Sequence, residues 1–325
     1  MYKIVLIGAG QLGGRHLQSL AKMDIPILID VVDLGLEQLN LAKERFEQIP
    51  EHVKIHSVNY RSSLKEAFLD IDVCIIATTA DVRCAITKEV LNTKKVKNII
   101  FEKVLFQSLN DYDEVEQLLG DKGVKAWVNC PRRMYPFYHE VKEYFQEGER
   151  ISYHLNGGNW GLACNSIHFV DHMAFYSGMN DFEIDTTGLY DKIYESKRKG
   201  FVEFFGTLKL NYNNGSELVL HSHMDSSAPS VLSILGEKCH VVACEASGKA
   251  FISSEINAWK WEENNIIIPF QSELTHLAVA EILSKGHCCL TKYSDSAKLH
   301  KPLIKGLLKH IELICNRKID NCPIT

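Results

Sequence analysis

Residues 165–176 of this 325-residue chain have the pattern of an amphipathic helix, and His168, Asp171 and His172 fall on it at i, i+3 and i+4. That spacing puts the three on one face. Two kinds of chemistry suit such a trio. As a metal site it needs a further ligand, and the prominent candidates are His221 and His223, in a strand-like stretch. As acid–base machinery, a histidine near neutral pKa takes a hydroxyl proton while hydride leaves the same carbon. Histidines satisfied by local hydrogen bonds are the structural alternative. A second reactive group is Lys103, which follows the apolar run Ile99-Ile-Phe101 with Glu102 beside it to orient it. Without such a role it is an exposed loop lysine.

A third cluster binds rather than reacts. Gly8, Gly10 and Gly13 stand at G-x-G-x-x-G spacing after the β-branched run Lys3–Ile7. The first glycine permits a tight turn, the second lets backbone approach a pyrophosphate, and the third lets a helix pack closely on the strand. Phosphates would then sit at a helix N-terminus. A second apolar strand, 27–32, ends in Asp33, about twenty residues beyond Gly13, where this fingerprint places an acid for a ribose 2′-hydroxyl. Asp30 competes from inside the strand. A carboxylate at position 33, followed by Leu34 and Gly35 rather than arginine, repels a 2′-phosphate and favours NAD over NADP.

The elements that must position these groups alternate. Helix 36–46, strand 54–58, helical turn 64–68, strand 73–77, helix 83–91, strand 98–101, helix 110–119 and strand 125–128 follow one another with short connections. Repeated β-α units predict an α/β, Rossmann-type, doubly wound parallel sheet. Ligands of such sheets bind beyond the strand carboxyl ends, where Thr78, Thr79, Glu102, Lys103 and Asn129 fall. Pro131 and Pro136 bracket a boundary, so a dinucleotide-binding domain over 1–128 precedes a second domain over 129–325. In that half, helix 137–145, strand 151–155 and the helix bearing His168 lead into strand-like stretches at 187–194, 202–210, 216–222, 231–235, 240–243 and 250–253. Helices 272–285 and 295–315 close the chain, with Pro302 a point of interruption in the latter and the last helix free to pack back on the first domain.

With 46% hydrophobic residues, 24% charged and a net charge of −5, the composition is that of a soluble globular protein, and nothing in it suggests a nucleic-acid or membrane partner. The ten cysteines include no C-x-x-C pair, and several lie in apolar runs, which favours a reducing, cytoplasmic setting.

Taken in order, Gly8-Ala-Gly-Gln-Leu-Gly13 with His16, Val31-Val-Asp33, Ala77-Thr-Thr79, Glu102-Lys103, Asn129 with Arg132-Arg133, Gly157-Gly-Asn-Trp160 and Ile167-His168-Phe-Val-Asp171 resemble the glucose–fructose oxidoreductase / inositol dehydrogenase (Gfo/Idh/MocA) family. The resemblance implies an NAD(P)-dependent dehydrogenase or ketosugar reductase whose second domain carries an open, mainly antiparallel sheet. It implies cofactor contacts from Gly8, Gly10, Gln11, Leu12, Gly13, Asp33, Thr78, Thr79, Glu102 and Asn129, and substrate contacts from Arg133, Trp160, Asn165, Asp171 and His172. It makes Lys103 and His168 the catalytic pair, without a metal: His168 moves the hydroxyl proton and Lys103 positions hydroxyl and nicotinamide. An open sheet face of that kind is often buried against a second copy, so a homodimer or homotetramer is expected. Two departures stand out. Val104 replaces the proline of the usual Glu-Lys-Pro, and Cys164 replaces an aspartate that many members carry four residues before the histidine. If Arg132 or Arg133 engages an anion, the sugar is phosphorylated or nucleotide-linked. A reductase of another carbonyl or imine, and a non-catalytic dinucleotide-binding regulator, are the competing readings.

Overall fold

The computed structural model describes residues 1–50 and 54–325. Short, β-branched apolar runs form its central strands, because such runs bury both faces of a sheet. These are β1 (Tyr2–Ile7), β2 (Ile27–Val32), β4 (Asp70–Ile76), β5 (Lys95–Phe101) and β6 (Lys125–Val128), and the more polar, half-buried β3 (Ile55–Arg61) joins them at the sheet edge. They alternate with helices α1 (Gln11–Leu20), α2 (Leu36–Glu47), α3 (Ala80–Thr93) and α4 (Leu109–Lys122). The six strands are parallel in the order β6-β5-β4-β1-β2-β3, the doubly wound arrangement expected. The order reverses at β1, between β4 and β2, and such a switch point is where an open α/β sheet takes a ligand.

Register makes that edge level. Ile7 pairs with Val32 and Ile76, Ile76 with Phe101, and Phe101 with Val128. The next residue of each strand extends the ladder: Gly8 N–H donates to Val32 O, Ala77 N–H to Ile7 O, Glu102 N–H to Ile76 O and Asn129 N–H to Phe101 O, at 2.8 to 3.0 Å. One row beyond the sheet therefore holds Gly8, Asp33, Ala77, Glu102 and Asn129.

The second half opens with α5 (Pro136–Lys142), β7 (Ser152–Gly158) and α6 (Leu162–Ser177). Strands β8 (Phe182–Leu189), β9 (Tyr194–Glu195), β10 (Val202–Glu203), β11 (Gly206–Tyr212) and β12 (Glu217–His223) follow. Next come β13 (Val231–Leu235), β14 (Cys239–Cys244), β15 (Lys249–Ser254) and β16 (Glu262–Asn265). Eight of them make one sheet, ordered β16-β15-β14-β13-β7-β12-β11-β8 and antiparallel except between β12 and β7. Burial alternates along β7, β11, β12, β13 and β14, so one face of the sheet carries the core and the other is more open.

Helix α7 (Thr275–Lys285), strand β17 (Thr291–Lys292) and helix α8 (Tyr293–Cys315) end the chain, and α8 runs through Pro302 without a break. The strand β17 adds an antiparallel edge to β6. The chain packs as two compact units, one of 1–106, 110–131 and 269–294, the other of 107–109, 132–268 and 295–325. The chain crosses from the first unit to the second after Pro131 and returns to the first at Pro269.

Four local expectations change. The strand expected over 187–194 lies instead at 182–189, and the run 202–210 is divided at Gly206 into β10 and β11. The helix expected from Ser272 begins at Thr275, after a 3₁₀ turn at Gln271–Glu273. Strand β16, Glu-Glu-Asn-Asn, has no apolar alternation to announce it and is held at the sheet edge by pairing with β15.

Candidate functional site

In the first unit, backbone and Asp33 together shape the glycine turn. Gly8 has φ +95°, and a Cβ there would stand 2.9 Å from Ala77 C and Thr78 N. A Cβ on Gly13 would fall 1.8 Å from Gly8 O, so helix α1 packs on the turn at a distance only glycine permits. Gly10 differs: a Cβ there would meet nothing within 4 Å. It is the N-cap of α1, whose first turn has no acidic residue and no side-chain cap. A helix N-terminus in that state suits a phosphate, and the backbone at Gly10 leaves room for one. The residues present thus fit a dinucleotide.

Asp33 is partly exposed at the end of β2; its Oδ2 accepts the Ala9 N–H at 2.7 Å and its Oδ1 the Gly35 N–H at 2.8 Å. Asp30 is fully buried and accepts from Asn59 Nδ2 and Phe68 N–H, both at 2.9 Å, so it serves the strand packing. Thr79 is the N-cap of α3, and the Thr78 hydroxyl is buried without a hydrogen-bond partner among the described residues.

Glu102 is the centre of a buried polar network. Its Oε1 lies 2.9 Å from His16 Nε2 and accepts from Asn129 Nδ2; its Oε2 accepts the Lys103 N–H at 3.2 Å. His16 Nδ1 lies 2.8 Å from Thr275 Oγ1, and Asn129 Nδ2 also donates to Gln271 Oε1 at 2.9 Å. Burial pushes the Glu102 carboxyl up, but the hydrogen bond and charge of His16, with Asn129 and Lys103, outweigh it and hold the group below its ordinary value. Lys103 is partly exposed, and the Lys103–Val104 peptide is cis. His16, Gln271 and Thr275 were not assigned from sequence. His16 is visible in the motif, whereas Gln271 and Thr275 lie far along the chain in a segment with no chemical pattern of its own.

In the second unit, α6 carries the histidine face. His168 is partly exposed, while Asp171 and His172 are fully buried. Arg133 Nε donates to Asp171 Oδ2 at 2.7 Å and its Nη2 to Asp171 O at 3.0 Å. Arg132 binds Glu245 through two bonds, at 3.0 and 2.8 Å, and lies over the Phe169 ring. Tyr138 donates to the same Glu245 at 2.7 Å. His172 Nδ1 is hydrogen-bonded to Tyr153 OH at 2.8 Å, and the ring sits among Tyr138, Tyr153 and Tyr176. Burial, with Arg132 and Arg133 nearby, holds the imidazole well below its ordinary pKa. It is a core group, not one that lines a surface, which is a correction to its expected place against substrate. The expected anion-binding role of the arginines meets a similar obstacle, because both guanidiniums are already paired with carboxylates.

Trp160 and Asn165 brace the start of α6: Trp160 Nε1 donates to His221 O and Asn165 Nδ2 to Trp160 O, both at 2.8 Å. Glu203, from β10, was not assigned from sequence. It is buried at the same helix end, accepts the Ala163 N–H and, at 2.9 Å, the Phe204 N–H, and burial raises its pKa against those bonds.

Residues 2–130 match the oxidoreductase family, NAD-binding Rossmann fold, of the Gfo/Idh/MocA group. Comparison with curated proteins gives no match. An oxidoreductase from Agrobacterium radiobacter, solved in complex with NAD+, L-tartaric acid and magnesium, is similar at 15% identity and a TM-score of 0.70 over 98% of both chains. UDP-N-acetylglucosamine 3-dehydrogenase GnnA from Acidithiobacillus ferrooxidans is similar at 11% identity and a TM-score of 0.69, covering 94% of this chain and 96% of that one. A mutant of KijD10, a 3-ketoreductase from Actinomadura kijaniata in complex with TDP-benzene and NADP, reaches 14% identity and 0.68 over 94% and 96%. At such identities the likeness shows the fold, and it extends over both units.

Proposed function

We infer, from the match of residues 2–130 to the NAD-binding Rossmann fold of the Gfo/Idh/MocA oxidoreductases, that this protein transfers hydride between NAD and a hydroxyl or keto carbon of a sugar. The observation that carries the reading is the level row of Gly8, Asp33, Glu102 and Asn129 beyond the sheet, beside the uncapped N-terminus of α1. Gly10, Gln11, Leu12 and Gly13 receive the pyrophosphate on backbone N–H groups, and Asp33 keeps acceptor capacity for the ribose hydroxyls, which favours NAD over NADP. The cofactor supplies or accepts the hydride. His168 takes the hydroxyl proton in oxidation and returns it in reduction, and Lys103 stabilises negative charge developing on the oxygen.

The pairing of Arg132 and Arg133 with Glu245 and Asp171 weakens the support for a phosphate on the substrate. Nucleotide-linked sugars stay in view because GnnA acts on one and the KijD10 complex holds a TDP compound. The open sheet face, with Val231, Leu235 and Phe251 exposed, supports a homodimer or homotetramer. All ten cysteines are free thiols, and among the described residues no helix is long and apolar enough to cross a membrane; the first supports a reducing cytoplasm.

The test is a screen of free, phosphorylated and nucleotide-linked sugars by nicotinamide absorbance. With a substrate found, Lys103→Ala and His168→Ala should each lower turnover by about 10²–10⁴-fold while NADH still binds. Tight NADH binding with no turnover on any sugar would favour a regulatory protein.

A further inference from the structure

Arg83 lies one turn into α3 and is only 1% exposed, which places it among the largest fully buried side chains of the protein. Buried arginine is usually accounted for by a carboxylate or a metal-free polar network, because the charge is costly to desolvate. Here the guanidinium reaches backbone carbonyls on two loops. Nη1 donates to Leu105 O at 3.0 Å and to Val104 O, and Nη2 donates to Thr78 O. Thr78 follows β4, and Val104 and Leu105 follow Lys103 after β5; the two strands are adjacent and parallel. One planar fork therefore ties the backbone just beyond Lys103 to the loop that carries Thr78 and Thr79.

The segment needs such a tie. Val104, Leu105 and Phe106 are fully buried, yet they lie past the end of β5, where no strand ladder continues. Buried backbone groups outside a ladder still need hydrogen-bond partners, and side chains are one source of them. Glu102 takes the Lys103 N–H, Arg83 takes the next two carbonyls, and Tyr112 OH serves Phe106, donating to its carbonyl at 2.9 Å and lying 3.3 Å from its N–H. Glu102 and Tyr112 each hold one residue, whereas Arg83 holds two and joins them to a second loop. Lysine could not replace it, since an ammonium lacks the rigid fork that reaches several acceptors in one plane.

Resting on the assignment of Lys103 to stabilising negative charge on the substrate oxygen, we propose that Arg83 is a positioning residue for Lys103. It fixes the lysine's main chain through Val104 and Leu105 and sets it in register with Thr78.

The test uses the full-length protein with Arg83→Lys and Arg83→Gln, and it has two arms. With a substrate from the screen, kcat should fall about tenfold to a hundredfold, the cost of a misplaced group, while KM for the sugar stays near wild type. Lys should recover little of what Gln loses. The second arm needs no substrate. Trace acetylation with acetic anhydride as a function of pH, read by mass spectrometry, should show altered reactivity of Lys103 in both variants, with Lys65 and Lys122 unchanged as internal references. If Lys103 reactivity shifts while no sugar is turned over, the substrate reading fails and the positioning role stands. Folded variants with wild-type kcat or wild-type Lys103 reactivity overturn the proposal. Failure of both variants to fold also overturns it, by assigning Arg83 to the fold instead of to Lys103.

Discussion

Asp33 accepts the Ala9 N–H at 2.7 Å, so the acid placed for the ribose also holds the glycine turn shut. One carboxylate thereby links the end of β2 to the loop after β1, and its loss should appear in two measurements. Asp33→Ala should weaken NAD more than NADP in calorimetric titration and lower stability by about 1–3 kcal/mol through the orphaned N–H groups of Ala9 and Gly35. Asp33→Asn keeps an acceptor and should recover part of the stability without the NAD preference. An unchanged NAD/NADP ratio in both variants would remove Asp33 from the ribose site.

Gly10 and Gly13 separate binding from folding. Gly10→Ala adds a methyl to open space at an N-cap with ordinary backbone angles, so the melting temperature should hardly move, while NADH affinity drops by tenfold or about 1.4 kcal/mol. Gly13→Ala puts a methyl into the Gly8 carbonyl and should destabilise by about 3 kcal/mol or more. Equal thermal stability of the two variants would contradict the packing described.

His172 should make stability depend on pH. Its folded pKa is depressed, so the unfolded chain binds the proton first as pH falls. The associated stability is complete above the ordinary imidazole pKa, near 6.5, and is lost progressively below it. In urea titrations between pH 7 and pH 5, His172→Phe should reduce the slope of unfolding free energy against pH by up to about 1.4 kcal/mol per unit, the value for one proton. A variant with the wild-type slope would show that the imidazole does not titrate on unfolding as described.

The exposed sheet face predicts an assembly. Leu235 on β13 and Phe251 on β15, the two strands that flank β14 in the open sheet, are 43% and 41% exposed. Light scattering should give a dimer or tetramer mass for the wild-type chain, and Leu235→Glu with Phe251→Glu should lower it. A wild-type monomer at micromolar concentration would end that expectation.

The first sheet was legible because its information is local. The run Val-Cys-Ile-Ile-Ala names a buried strand, and Gly8, Gly10 and Gly13 have steric roles that depend on a few neighbours. The strand 27–32 and its terminal Asp33 follow from the same rules. His172 was misread for the opposite reason. Its spacing from His168 fixes a helix face, but whether that face meets solvent or Tyr153 depends on residues outside the helix. Arg133 likewise looked like a free cation because Asp171, its partner, lies 38 positions away. Glu203 and Thr275 left no mark at all, since a single acid in a short strand and a threonine before a helix are commonplace. Long-range pairing, not residue chemistry, is what the pattern withheld.

The match to the NAD-binding family ends at residue 130, whereas the compact unit that contains it also includes 269–294. Thr275 from that returning segment reaches His16 on the glycine-loop helix, and Thr291 pairs with Val128 on the outermost parallel strand. The cofactor module is therefore written in two distant places along the chain. A recombination that exchanged only the first 131 residues with a relative would carry His16 and Glu102 but leave the threonine that pairs with His16 behind. Exchange between relatives should succeed when both segments travel together, and inheritance of this fold should keep them matched.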